Sequence, residues 1–275
     1  MVLSSRSANP ELLESKLSRF TVGNTRVVTD FDSTLTADNG HSSWSLFGQG
    51  GLLPAEAVER RRVLKETYYP HEIDATLTVE KRAEYMNEWW EKALDVLREY
   101  GLHRDSLLAL AARDMAIREG FDGLLRDAHG LSIPVLVLSA GITQSIESVL
   151  KAHDSLRPNV AIASNELTFD ENGVCTGFAG RVIHTVNKDE WDADDAVRAH
   201  FEERKNVLLF GDSLDDIRMV KPEKRGDTVA VGFCTKSRKH QLGLFRETFD
   251  VVVEEDLTDA GVCAALVERI LANGK

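Results

Sequence analysis

The sequence predicts an α/β fold, a doubly wound and mostly parallel sheet interrupted after its first strand by an inserted helical cap. Three observations carry this. Short apolar runs recur along the chain, each flanked by polar or helical sequence, as strands covered on both faces require. One stretch, from about Asp38 to Gly120, has no such run and instead spaces its apolar residues by three and four. Acidic or small polar residues follow several runs directly, at the strand ends that face the ligand crevice in open α/β sheets.

The elements follow in order. Asn9-Pro10 before Glu11-Leu12-Leu13-Glu14 predicts a helix start, with Asn9 capping and Pro10 at the first helical position. Gly23-Asn24 turns into the first strand, Arg26-Val27-Val28-Thr29-Asp30. The insert holds three predicted helices, over Ala55–Tyr69, Thr78–Tyr100 and Arg104–Arg118, the second capped by Thr78. Further strands are predicted at Ile133–Leu138, Val160–Ala163, Val207–Phe210, Thr228–Val231 and Val251–Val253. Between Glu166 and Ile183 the Asn172-Gly173 pair predicts an antiparallel hairpin. The predicted division is therefore a core of residues 1–37 and 121–275 and a cap of residues 38–120.

Composition narrows the function. The 275 residues carry a formal net charge of -12, which argues against nucleic-acid or anionic-membrane binding, both of which need a basic surface. Cys175, Cys234 and Cys263 are far apart and form no CxxC pair, so a zinc site or disulfide framework is not expected. No apolar run is long enough to span a bilayer, and MVLSSRSANPELLESKL has no signal-peptide pattern, so the expected location is the cytoplasm.

At the predicted strand ends stand Asp30-Phe31-Asp32-Ser33-Thr34, Ser139-Ala140-Gly141 and Gly211-Asp212-Ser213-Leu214-Asp215-Asp216, with Lys188 following the hairpin. Carboxylates converging on one crevice repel one another unless a cation sits among them, and a hard divalent ion, Mg²⁺ above all, suits oxygen ligands. With Lys188 it would neutralise a phosphate, and Ser139 and neighbouring backbone N–H groups would hold the phosphate oxygens. Asp30 and Asp32, two residues apart, lean into the same crevice while Phe31 turns to the core; one can attack phosphorus and the other protonate the leaving oxygen.

Those residues, in that order, resemble the four signatures of the haloacid dehalogenase superfamily, whose core is Rossmann-like. The resemblance extends to the pyrimidine 5′-nucleotidase family, also called cytosolic 5′-nucleotidase III, and covers nearly all of the chain from about Thr25. It rests on VTDFDSTLT, EIDATLTVEKRAEYMNEWW, IPVLVLSAGI, PNVAIASNELTFDENGVCTGFAGRVIHTVNK and LLFGDSLDDIRM. It implies hydrolysis of nucleoside 5′-monophosphates, with pyrimidine preference and phosphotransfer as a side activity. Asp30 would be the nucleophile and Asp32 the general acid and then base. Ser139, Ala140 and Lys188 would bind phosphate. Asp30, the Asp32 carbonyl and Asp212 would ligate Mg²⁺, supported by Asp216. Glu88 would be the cap glutamate of the nucleoside pocket. The chain departs from the family in Lys92-Ala93-Leu94-Asp95 and in the loop Ala37–Gly51, which carries Gly40-His41-Ser42-Ser43-Trp44.

Each motif alone has a plainer meaning. Asp-x-Asp after a strand and Gly-Asp-Ser before a helix are common turns and caps, and Trp89-Trp90 on an apolar helix is more often core than a base platform. Joint order and strand-end placement favour the functional reading. Two alternatives to a nucleotidase are a phosphatase for another small phosphomonoester and a metal- and phosphate-binding module without turnover.

Overall fold

The computed structural model describes residues 2–39, 41–48, 51–74, 76–189 and 204–274. After a four-residue helix α1 (Val2–Ser5), helix α2 (Pro10–Leu17) begins where predicted: Asn9 Oδ1 accepts the Leu12 N–H at 3.0 Å, and Pro10, which has no amide hydrogen to place, opens the helix. The described strands are β1 (Thr25–Thr29), β2 (Val135–Ile142), β3 (Val160–Phe169), β4 (Cys175–Ala179), β5 (Asn206–Gly211), β6 (Thr228–Phe233) and β7 (Val251–Val253). They form one sheet in the order β4-β3-β2-β1-β5-β6-β7, parallel throughout except for the β3–β4 pair.

Strand β1 is central, with Val27 in register with Val135 on one side and Leu208 on the other. The chain leaves β1 toward β2 and β3, then returns to β5 on the opposite flank. This reversal opens a crevice at the carboxyl ends of the central strands. Alternate residues serve opposite faces. Val27, Leu208 and Val229 pack with α2, α6 (Phe121–Gly130) and α9 (Val262–Ala272), whereas Val28, Leu209 and Ala230 pack with Met219 and the Phe245 and Phe249 rings around α8 (Leu242–Thr248). Burial on both faces is why these runs are unbroken apolar sequence rather than alternating.

The third run is longer than its apolar segment. β3 continues from Ala163 through Asn165 to Phe169 and turns at Gly173, φ +78°, so the hairpin extends the sheet itself. Asp170 Oδ1 accepts the Asn172 and Val174 N–H groups at 2.9 and 2.8 Å, which closes the turn.

In the insert, α3 spans Ala55–Glu72, α4 spans Val79–Glu99 and α5 spans Arg104–Asp114. Thr78 caps α4 by accepting the Lys81 N–H at 3.3 Å. α3 outruns its predicted end at Tyr69 because Pro70 sits in the last turn, where its fixed φ is compatible and only one helical hydrogen bond is lost. α5 stops short of Arg118. Ala37 N bonds Ala116 O, and Arg118 N bonds Leu35 O, at 2.9 Å each, so 116–118 is claimed by the loop after β1.

Helices α3 and α4 share a core with Ala140, Ile142, Leu167 and Val186, which seats them over the carboxyl end of β2 and the hairpin. α5 bridges both bodies: Leu107 joins that cluster, Leu110 and Ala111 join the sheet core, and the Ser148 hydroxyl of α7 (Thr143–Ala152) donates to Leu108 O at 2.8 Å. No described helix is long and apolar enough to cross a membrane. The three cysteines are free and buried.

Candidate active site

Asp30 leaves β1 still extended, and the chain then makes one wide turn, Phe31–Leu35, in which Ser33 takes φ +58°. The turn is tied down from every side. Phe31 is buried in the sheet core, Ser33 N donates to Thr36 Oγ1 at 3.0 Å, and Thr36 N donates to Phe31 O at 2.9 Å. Fully buried Arg118 donates to Thr34 O at 2.8 Å, to Glu255 O at 2.7 Å and to Ser33 O, and stacks on Phe233. These bonds hold a non-glycine residue in a left-handed conformation that would otherwise be unfavourable.

Lys188 Nζ lies 2.6 Å from Asp30 Oδ1 and 3.2 Å from Asp216 Oδ1, all three side chains being buried. Asp216 Oδ2 in turn accepts the Asp212 and Ser213 N–H groups at 3.0 and 2.9 Å. Only glycine fits at 211: a Cβ there would fall 2.4 Å from Asp216 Cβ. Carboxylate oxygens of Asp30, Asp212 and Asp216 come within 4.8 Å of one another. Asp32 Oδ1 accepts Ser43 N at 2.9 Å and Ser43 Oγ at 3.1 Å. At the end of β2, buried Ser139 Oγ accepts the Gly141 N–H at 3.0 Å.

The neighbouring Ala140 carbonyl receives Trp44 Nε1 at 2.9 Å, Asn165 Nδ2 at 3.0 Å and Trp90 Nε1 at 3.2 Å, which fixes α4, the 42–48 loop and the sheet to one atom. Lys188 is aimed by a second polar knot. Asn165 Oδ1 accepts Ile183 N at 2.8 Å, and Asn187 Oδ1 accepts His184 N at 2.7 Å. His184 Nδ1 accepts Val186 N at 3.2 Å, which leaves the proton on Nε2 to be donated to Asn87 of α4 at 3.1 Å.

Burial dominates the electrostatics. It raises the Asp30 pKa against the pull of Lys188, with Asp216 and Asp212 adding repulsion. It lifts Asp32 to about 7, opposed mainly by the Ser43 hydrogen bonds. Burial raises Asp212 as well, opposed by Arg238, whose Nε stands 3.2 Å from its Oδ2. Lys188 feels burial pulling its pKa down, yet Asp216 and Asp30 together hold it well above the ordinary lysine value.

The structure thus brings Asp30, Asp32, Asp212, Asp216 and Lys188 together, with Ser139 and Ala140 at the adjoining strand end. It does not bring Glu88 to them. Glu88 is exposed, paired with Lys92 at 2.6 Å and beside Tyr68 of α3. The carboxylate that α3 turns toward the core is Glu72, raised in pKa by burial and flanked by Arg238 and Arg82. Arg82 itself reaches from α4 to Asp215, in the segment after β5, at 2.6 Å. Glu72, Arg238, Arg118, Ser43 and Asn165 carry no motif of their own. Glu72 and Asn165 do lie within phrases that carry the family resemblance, and Ser43 sits in the loop that departs from it; Arg118 and Arg238 had no such signal.

A doubly wound sheet with acidic strand ends and a buried lysine among them suits phosphate-ester chemistry, and the family match specifies a 5′-nucleotidase, a hydrolase of phosphoric monoesters. The chain belongs to the pyrimidine 5′-nucleotidase (UMPH-1) family, whose sequence pattern matches residues 28–271. It is 30% identical over 266 residues to the 7-methylguanosine phosphate-specific 5′-nucleotidase B of Xenopus laevis, covering 92% of this chain and 91% of that protein. The Homo sapiens 7-methylguanosine phosphate-specific 5′-nucleotidase is 30% identical over 257 residues, covering 90% and 85%. Among solved structures, cytosolic 5′-nucleotidase IIIB bound to cytidine superposes with a TM-score of 0.84 at 27% identity, covering 98% of this chain and 94% of that one.

Proposed function

We propose that this enzyme is a Mg²⁺-dependent 5′-nucleotidase that hydrolyses nucleoside 5′-monophosphates through an aspartyl-phosphate on Asp30. The observation that carries the reading is the buried Lys188–Asp30–Asp216 arrangement with Asp212 and Asp32 beside it. The donor set fits a hard cation: Asp30, Asp212 and Asp216 offer only oxygen, and burial with mutual repulsion raises Asp30 and Asp212, a strain that a dication relieves. Asp30, Asp212 and the Asp32 carbonyl would hold Mg²⁺, with Asp216, already engaged by Lys188 and two backbone N–H groups, supporting them. When bound, the ion supplies positive charge to the phosphoryl oxygens.

Lys188 and Ser139 orient the phosphoryl group. Asp30 Oδ attacks phosphorus, and the bond to the 5′-oxygen breaks as that bond forms. Asp32, with a pKa near 7, hands its proton to the departing 5′-oxygen. Its carboxylate then takes a proton from a water that attacks the aspartyl-phosphate, releasing inorganic phosphate and restoring Asp30. A nucleoside hydroxyl in place of water gives phosphotransfer. We assign the cap to α3 and α4, closed on the core by Arg82–Asp215 and the Trp90–Ala140 bond.

The base would sit in the cavity of about 350 Å³ between the 42–48 loop, α3 and α4, whose walls include Trp44, Trp89, Trp90 and Ala93. Trp44 and Trp90, two of its walls, bond the carbonyl next to Ser139, and this shared contact supports reading the cavity as the base end of the crevice. Its aromatic walls suit a planar base, with Glu72 rather than Glu88 as the cap carboxylate facing the core. The named specificity of the relatives adds 7-methyl-GMP to CMP and UMP as substrates to examine. An acidic chain with free, buried cysteines suits the cytoplasm.

The test is Asp30→Asn beside Asp32→Asn, assayed on CMP and on p-nitrophenyl phosphate with Mg²⁺ or chelator. Asp30→Asn loses essentially all turnover. Asp32→Asn loses roughly 10²–10⁴-fold on CMP and less on the aryl ester, whose leaving group needs no proton. Turnover by Asp30→Asn near the native rate, or full activity in excess chelator, refutes the reading.

A further inference from the structure

The cavity assigned to the base holds a charge that its neighbours do not balance. Arg61 lines it, stacked on Phe47 and Trp44 with its guanidinium carbon 4.8 and 5.4 Å from the ring centres. Its Nη2 donates to Trp44 O at 3.1 Å, while its buried Nε–H has no partner among the described residues. No described carboxylate pairs with it, and burial is the only influence on its pKa, which falls to about 10. Lys65 lines the same wall and contacts the Tyr69 ring, again without a described carboxylate partner. Arg62, the third cation of that wall, is already matched by Glu59 and Glu66. No acidic residue is among the described residues lining the cavity.

A half-buried guanidinium with a buried, unspent Nε–H donor favours an acceptor and opposes a second positive charge. Aromatic walls favour a planar ring. Resting on the nucleotidase reading above, we propose that Arg61 is a specificity residue that makes this cavity take uncharged bases through a carbonyl oxygen and disfavour bases carrying a fixed positive charge. Cytosine, uracil and guanine meet both conditions. A 7-methylated guanine offers the carbonyl but brings its charge against Arg61 and Lys65. The assignment predicts a base choice different from the one for which the 7-methylguanosine phosphate-specific relatives are named.

A hydrogen bond to a charged donor is worth roughly ten- to a hundredfold in affinity, and repulsion adds to the discrimination. The experiment measures kcat/KM for CMP, UMP and 7-methyl-GMP on the native enzyme, Arg61→Gln and Arg61→Glu, with p-nitrophenyl phosphate as reference. Each result is read as the ratio of CMP or UMP to 7-methyl-GMP within one protein, so incomplete folding of a variant cancels. The native ratio is expected to exceed about ten. Arg61→Gln lowers it at least fivefold, mainly through KM, and Arg61→Glu inverts it. A native preference for 7-methyl-GMP, or a ratio that neither variant moves, overturns the assignment. If no nucleotide exceeds p-nitrophenyl phosphate on the native enzyme, the nucleotidase reading itself falls and Arg61 selection falls with it.

Discussion

Replacing Lys188 by Met separates the electrostatic work of this residue from its chemistry. The ammonium sits 2.6 Å from Asp30 and 3.2 Å from Asp216, and all three groups are buried. Methionine keeps the stem and removes the charge, leaving two carboxylates facing each other in low dielectric. Breaking a buried pair in this way costs about 3–5 kcal/mol. For a chain of this length each kcal/mol is worth about 2–4 °C in Tm, so the metal-free variant should melt roughly 6–20 °C below the native protein at neutral pH.

The deficit should depend on conditions, and the sign is fixed. Without Lys188 the Asp30 pKa, already raised by burial, loses its main lowering influence and rises further. A carboxylate with a folded pKa above its unfolded value binds protons preferentially in the native state, so acidification toward pH 5 narrows the variant's deficit against the native protein. Millimolar Mg²⁺ should narrow the gap as well, by supplying the missing charge. Differential scanning calorimetry at pH 7.5 and 5.5, with chelator or with Mg²⁺, reads all four conditions. A deficit equal in all of them would show that Lys188 acts through packing alone, and the electrostatic account of the site would fail. Turnover of CMP should be lost in every condition.

Two further outcomes follow from the same geometry. His184 is fully buried and burial lowers its pKa to about 4, whereas the unfolded chain titrates near 6.5. The unfolded state therefore takes up the proton first, and stability present at neutral pH is lost as pH falls from 6.5 toward 4, by about 2–3 kcal/mol. His184→Gln should show a flatter Tm decline over that window than the native protein; parallel declines would remove His184 from the cap–core link. Gly211→Ala places a methyl 2.4 Å from Asp216 Cβ and must push that carboxylate off the Asp212 and Ser213 N–H groups. Roughly 1–3 kcal/mol of stability and most activity should go together, as followed by melting and CMP turnover, and an active Gly211→Ala enzyme would deny Asp216 its supporting place.

Much of the core was legible because its signals are local. Asn9 and Thr78 cap their helices through their own side chains, and the strands announce themselves by burial on both faces. Asp30 and Asp32 were legible as strand-end carboxylates flanking a core Phe31, though the turn that presents Asp32 is held by the distant Arg118. The separation of Glu88 from the buried face of α4 has an equally local reason. Met86, Trp90, Ala93, Leu94 and Leu97 form the buried stripe of α4, and Glu88 stands two residues from both Met86 and Trp90, about 200° around the helix.

By itself the sequence determined the class of sheet, the strand-end carboxylates and the presence of a helical insert, since each follows from periodicity or from position relative to one strand. The tertiary structure alone decided the rest. Lys188 meets Asp30 across 158 positions, Arg82 meets Asp215 across 133, and Arg118 holds Ser33 and Thr34 across 85 and 84. No spacing rule encodes such contacts, because they depend on how loops close and where α3 and α4 settle on the sheet. The same holds for Glu72 and Arg61: one helix carries both, and only its packing against α4, the 42–48 loop and the core turns one carboxylate toward Arg238 and one guanidinium into an aromatic cavity.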